Sequence, residues 1–166
     1  MSDMDFYAQV IVTGRVMGAS LASSPEQWAQ ELGANYVDAR RKALMRRDFG
    51  LVEVSFQRVR GVWECFGMAI QVHRLVGGRD GVVPAPVGAR FGDFGPLVLF
   101  ATLDDVVARA GHHLENDNDE TTSHHDRFVL PETGAHVHVV SQVDDPDSGG
   151  PQVGHVWSIQ LSASAG

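Results

Sequence analysis

Histidine is the residue type in this sequence best suited to metal binding or proton transfer, and seven of its eight copies lie after residue 111. His136 and His138 lie two apart in a run that is predicted to be a strand, so both side chains are expected on one face. Two imidazoles can bind a transition metal when a third ligand such as His124 joins them, with Asp126 behind as an orienting carboxylate. A small metal-dependent enzyme is therefore one alternative, although the spacing matches no specific zinc signature.

Carboxylates are the second group of residues that could do chemistry. Asp117-Asn118-Asp119 and Asp145-Pro146-Asp147 alternate like calcium ligands, but they lack the turn glycine and closing glutamate of an EF-hand loop. Glu53 and Glu64 fall on two runs that are predicted to pair, so a general acid/base pair is conceivable there. The simpler interpretation is that Glu53 and Glu64 are charged side chains on the solvent-exposed face of a sheet.

Motifs of the common enzyme classes are absent from the sequence. It contains no Walker loop, no dinucleotide fingerprint and no Gly-x-Ser-x-Gly elbow, and Asp-Phe-Gly occurs without the other kinase motifs. Cys65 is the single cysteine, and its place inside a predicted hairpin favours a small core residue over a nucleophile. The sequence therefore predicts no cofactor and identifies no catalytic residue.

Charge is distributed unevenly along the chain. Residues 1–100 carry eleven cations and ten acids, a net charge of +1, whereas residues 101–166 carry two arginines against eleven acids, a net charge of −9. Phosphates and anionic lipids would be repelled by this acidic part, so we expect the protein to have neither nucleic acid nor a membrane as a partner. A cationic protein would be attracted to it. The candidate contact residues are Glu115, Asp117, Asp119, Glu120 and Asp126 in one loop, and Asp144, Asp145 and Asp147 in a second.

Length and composition indicate one globular domain. The chain has 166 residues, of which 43% are hydrophobic and 20% are charged, and we expect a single domain over residues 1–162 with a frayed tail at 163–166. No apolar run is long enough for a transmembrane helix. The first residues do not resemble a secretory signal, and one cysteine allows no internal disulfide, so a cytoplasmic location is expected.

The elements that would position these residues follow from periodicity and capping signals. Two alternating runs, Leu51 to Arg58 and Val62 to Leu75, predict an antiparallel hairpin, which is the strongest structural signal in the sequence. Residues 77–95 are rich in glycine and proline and predict a loop. The other predicted elements are strands over 8–13, 97–100, 127–130, 135–141 and 154–162, and helices over 25–32, 36–47 and 102–110. Together they predict an α+β fold, with a mixed, mostly antiparallel sheet of about six strands and two or three helices on one face.

One part of the sequence resembles a known group of proteins. The stretch includes Arg47-Asp48-Phe49-Gly50-Leu51-Val52-Glu53, followed by Trp63-Glu64-Cys65 and Ile70-Gln71-Val72-His73-Arg74. It resembles small actinobacterial proteins of the toxin-immunity type over about residues 36–75. The resemblance implies a cytoplasmic α+β protein that neutralises a cognate toxin by binding it, and it assigns no catalytic residue.

The resemblance and the charge distribution favour the same function. Many toxins that attack nucleic acid are basic, so an acidic surface could bind and block them, and we expect an immunity protein with a basic toxin domain as its partner. The alternatives are the metal-dependent enzyme described above and a non-catalytic subunit of a larger assembly. In the latter, the long hairpin would add to a partner's sheet.

Overall fold

The computed structural model describes residues 1–78 and 80–163. Eight strands form one sheet in the order β1-β2-β3-β4-β8-β7-β6-β5, and every neighbouring pair is antiparallel. The strands are β1 (Val37–Arg41), β2 (Leu44–Asp48), β3 (Val52–Val59), β4 (Val62–Ile70), β5 (Glu115–Asn116), β6 (His125–Leu130), β7 (Ala135–Val140) and β8 (Val156–Ser162). The sheet is thus two four-stranded meanders that are joined where β4 pairs with β8.

Four α-helices accompany the sheet: α1 (Asp3–Thr13), α2 (Pro25–Leu32), α3 (Ala85–Phe91) and α4 (Phe100–Arg109), and a 3₁₀ turn covers Val72–Leu75. Contacts join α1 to β7 and α2 to β4, while α3 and α4 pack against these two helices. The α+β class is therefore confirmed. The described residues contain more strands and helices than expected, and their sheet is wholly antiparallel rather than mixed.

Strand register separates an apolar face of the sheet from a polar one. Val52, Ile70, Ile159 and Val137 lie side by side across four strands, and all are fully buried. They belong to one core cluster that also includes residues from all four helices. The next residues along the strands form the opposite rung, which runs Glu53, Ala69, Gln160, His136 and Val129. This second face, which we call the open face, presents the polar side chains.

The strand predicted over residues 8–13 is wrong, because these residues belong to α1. Ser2 and Asp5 form a capping box that starts this helix. Phe6, Val10 and Ile11 are buried on it, so the apolar run that resembled a strand is one side of a helix packed in the core.

The helix predicted over residues 36–47 is also wrong, since these residues form the β1–β2 hairpin. Burial alternates along β2, where Met45 and Arg47 are buried and their neighbours Leu44 and Arg46 are exposed. The alternation was hidden in the sequence because one of the two buried residues is an arginine. Arg47 is tolerated there because Asp38 on β1 accepts two hydrogen bonds from it, at 2.8 and 3.0 Å.

The predicted 51–75 hairpin is confirmed as β3 and β4, with a shorter second strand. A bulge changes which residues of β4 face the core: Ser55 pairs with Gly67 but Phe56 pairs with Cys65, so Phe66 is the extra residue. The bulge places Cys65 on the buried face of the sheet. Simple alternation predicts it on the opposite face, together with Gly67.

The remaining differences concern short elements. Helix α3 lies inside the predicted 77–95 loop, and the predicted 97–100 strand is reduced to one bridge between Leu99 and His155. Helix α4 begins at Phe100, two residues before the predicted start. The three C-terminal strands are confirmed as β6, β7 and β8 with shifted ends. Of the predicted tail, residues 164–166 lie outside the described part of the chain.

Candidate functional site

The two acidic loops lie at the same end of the sheet. The first loop leads into β6 and the second follows β7, and His125 at the start of β6 pairs with Val140 at the end of β7. The loops also meet directly: the amides of Ser141 and Gln142 donate to the carbonyl of His124. Nε2 of His124 lies 3.8 Å from Oδ1 of Asp144. The two loops that carry these carboxylates are therefore in contact beside the start of β6 and the end of β7.

Three carboxylates of the first loop are engaged inside the loop. The Arg127 guanidinium contacts Asp117 at 3.2 Å and Asp119 at 2.6 Å. Asn118 donates to Asp126 at 2.9 Å. Hydrogen bonds from Thr121 and Arg127 hold the pKa of Asp119 well below its usual range. These groups shape the loop, and they are less available to a partner than their number suggests.

The other five predicted contact residues are exposed, and they are Glu115, Glu120, Asp144, Asp145 and Asp147. Glu115, Glu120, Asp145 and Asp147 form no ion pair with any described residue, and Asp144 has only the 3.8 Å contact with His124. Their charges face solvent at the edge and end of the sheet. We call Glu120 and the three aspartates the acidic end.

The structure does not bring His124, His136 and His138 together as a metal site. His136 contacts Asp117 at 3.0 Å, while His124 contacts Asp144. Among the described residues, no group of three His, Cys, Asp or Glu side chains is placed to hold a metal ion. The observed neighbours give these histidines separate local roles.

His138 lies instead in a cluster of imidazoles on the open face. Burial is the main cause that lowers the pKa of His138 to about 4, and the proximity of His125, His136 and Arg127 lowers it further. The pKa of His125 is also lowered, mainly by burial and to a smaller extent by the proximity of His124 and His73. His138 and His125 are therefore mainly neutral at pH 7, so these two side chains add little positive charge near the acidic end.

Trp157 organises the rest of that cluster, and sequence analysis missed it. The register shift opposite His138 and Val139 makes Trp157 a bulged residue, which turns its ring away from the buried face. His73 stacks on the indole with ring centroids 4.2 Å apart and planes 2° apart, and Nδ1 of His73 lies 3.2 Å from the Trp157 carbonyl oxygen. Alternation along β8 predicts Trp157 on the same buried face as Ile159, so no sequence signal indicated its actual position.

The carboxylates Glu53 and Glu64 do not form a catalytic pair. Glu53 pairs with Ala69, whereas Glu64 pairs with Gln57, so the two lie about four residues apart along the hairpin. Arg46 at 3.1 Å and Arg74 at 2.8 Å both contact Glu53. Glu53 is therefore a structural ion-pair partner, and Glu64 is an exposed charge.

The predicted hairpin also does not present a free strand along its full length. β3 lies between β2 and β4, and β4 pairs with β8 from Gly67 to Ile70. A partner strand at Gly67–Ile70 would displace β8, whereas residues 62–65 pair only with β3 among the described strands.

Comparison with known proteins adds no assignment, because the chain matches no protein-family model, no curated protein and no solved structure. Within the described residues, no helix has the length and apolar character needed to cross a bilayer.

Proposed function

We propose that this chain is a binding protein of the immunity type, which acts in the cytoplasm and neutralises a basic toxin domain. The observation that carries the proposal is the meeting of two acidic loops at one end of the sheet. Their exposed carboxylates give a surface that can contact several cations at once, and such surfaces accelerate association with an oppositely charged protein.

The local ion pairs refine which residues act in this proposal. Asp117, Asp119 and Asp126 hold the first loop in shape, since their oxygens already accept hydrogen bonds. Contacts with the partner are assigned to Glu115 on β5 and to the acidic end. A matching basic surface on the partner would cover the active site of a nucleic-acid-attacking toxin, because such a site must itself attract phosphates.

Capture followed by a growth assay tests this function. The full chain, immobilised, is exposed to lysate of the cells it comes from at low salt, and bound protein is eluted at high salt and identified. We expect a basic protein that stops growth when expressed alone in a test host, and growth that is restored when this chain is co-expressed.

Two triple variants, each of which removes three negative charges, test whether protection depends on the acidic end or on net charge. Changing Asp144, Asp145 and Asp147 to Asn should weaken protection, whereas amides at the exposed Glu26, Asp93 and Asp105 should leave it intact. A captured protein that is harmless when expressed alone, or growth that this chain does not restore, would contradict the proposed function.

A further inference from the structure

The turns of the β1–β2 and β3–β4 hairpins lie side by side at one corner of the sheet. Leu44 pairs with Gln57, and the Arg58 amide donates to the Ala43 carbonyl at 2.8 Å, so the two turns are held together. Five exposed cations surround them: Arg40, Arg41, Lys42, Arg58 and Arg60. We call this set the basic corner.

Two of these cations adopt a backbone conformation that is costly for residues other than glycine. Lys42 has a φ of 56° and Arg60 a φ of 51°, a left-handed conformation that Gly, Asn or Asp adopts at lower cost. Both side chains are exposed, so no core packing compensates the strain. Such strained residues occur at functional sites of other proteins, so the two turns are candidates for a binding role.

Aliphatic side chains are exposed at the same corner. Leu44, Val59 and Val62 have relative exposures of 52%, 37% and 61%. Arg58 lies over the Trp63 ring, 4.9 Å from its centroid. The corner therefore combines positive charge with apolar side chains on two protruding turns.

The acidic end does not cancel this positive charge. Strand register places the acidic loops at the other end of the strands and in the other meander. From strand spacing and rise, the separation is about 30 Å. That is several times the Debye length of about 8 Å at physiological salt. Asp38 is held by Arg47 at 2.8 Å and lies 3.9 Å from Arg40 of the basic corner. Glu64 is an exposed acid on the adjoining strand.

We propose that the basic corner docks on an anionic lipid surface. Leu44, Val59 and Val62 would enter the headgroup region, while the cations contact lipid phosphates. Membrane docking departs from the sequence prediction of no membrane partner, which rested on the charge of residues 101–166. Those residues would point away from the bilayer in this orientation. Nucleic acid offers no comparable environment for three aliphatic side chains. A specific protein interface buries about 800 Å² per partner, whereas the corner consists of two short turns.

Vesicle sedimentation with the full chain tests this proposal. One set of vesicles contains phosphatidylcholine with about 30 mol% phosphatidylglycerol, and the other contains phosphatidylcholine alone. We expect binding to the anionic vesicles, little binding to the neutral ones, and release at about 0.5 M salt. Changing Lys42 and Arg60 to Asn should weaken binding at least tenfold, because each cation near an anionic surface strengthens it by about fivefold. The unfolding midpoint of the same variant should lie at an equal or higher denaturant concentration, because Asn fits the left-handed conformation.

Control variants separate the corner from net charge. Replacing Arg15 and Arg109 with Gln removes the same charge elsewhere and should leave vesicle binding unchanged. Val62→Thr, which keeps the shape of the side chain, should weaken binding without changing its salt dependence. No binding to the anionic vesicles, equal losses in the two charge variants, or retention on duplex DNA without vesicle binding would overturn the proposal.

Discussion

Nη2 of Arg127 lies 2.6 Å from Oδ2 of Asp119, and its Nε lies 3.2 Å from Oδ2 of Asp117. One guanidinium thus links two carboxylates that sequence analysis assigned to partner binding. The first acidic loop is therefore partly neutralised from within. Its paired carboxylates differ in kind from the exposed aspartates of the second loop.

This difference predicts unequal effects of neighbouring substitutions on affinity for the captured basic protein. Asp119→Asn should weaken binding only slightly, because a partner cation must compete with Arg127 for that carboxylate. Asp145→Asn should weaken it several-fold, since that side chain faces solvent. Titration calorimetry on the two single variants measures the contrast, and equal losses would contradict the different roles assigned to the two carboxylates.

Arg47 should be important for stability. Its guanidinium is bonded to Asp38 and to the Pro25 carbonyl at 2.8 Å, and it lies 3.9 Å from the centre of the Tyr36 ring. Arg47→Ala leaves Asp38 with only the 3.9 Å contact to the exposed Arg40, and it should cost about 3 kcal/mol of unfolding free energy, measured by urea denaturation.

A neighbour on the same strand provides the control for that prediction. Arg46 is 64% exposed and pairs with Glu53, so Arg46→Ala should cost less than about 1 kcal/mol. Similar losses for Arg46→Ala and Arg47→Ala would mean that the buried ion pair is not what holds β1 on β2.

Acidification should destabilise the fold through the imidazole cluster. The folded pKa of His138 is about 4, below the ordinary value near 6.5. The unfolded chain therefore binds a proton first as the pH falls. Stability from this group is complete above about pH 6.5 and is lost as the pH falls towards 4. The loss is on the order of 1–2 kcal/mol, because the ring is partly exposed and therefore screened.

Denaturation at pH 7.5 and at pH 4.5 measures this effect. His138→Gln should reduce the difference in unfolding free energy between the two pH values. His113→Gln removes an exposed imidazole and should leave the difference unchanged. An unaltered difference in the His138 variant would show that another group drives acid unfolding.

Cys65 should be chemically inert in the folded protein. Its side chain is 7% exposed, and burial raises the pKa of the thiol to about 11. Since the thiolate is the reactive form, labelling by a thiol reagent at pH 8 should be at least about a hundredfold slower than for a free cysteine. Unfolding in urea should restore the ordinary rate. Rapid labelling of the folded chain would show that the β4 bulge leaves the sulfur accessible.

The sequence predicts some elements well for physical reasons. The β3–β4 hairpin was recognisable because apolar and polar residues alternate over Val52–Val59, and the α2 start was recognisable from Ser24 and Pro25. The β1–β2 hairpin was missed because Arg47 occupies a core position through a tertiary ion pair. In α1, a run of β-branched residues outweighed the capping box at Ser2.

The candidate site was predictable only in part. Net charge identified the acidic loops, and the strand order places them together. Pairing by Arg127, which depends on loop conformation, could not be derived from composition. The position of Trp157 against His73 depends on a bulge, and strand alternation predicts the opposite face.

The most direct test of the proposed function is the association rate with the captured basic protein as a function of salt concentration. We compare the wild-type chain with the variant carrying Asn at 144, 145 and 147, and with the control carrying amides at 26, 93 and 105. The wild type and the control should associate fast at low salt and slow down steeply as salt rises, whereas the acidic-end variant should be about tenfold slower with a flatter dependence. Identical salt dependence in all three would contradict binding through the acidic end.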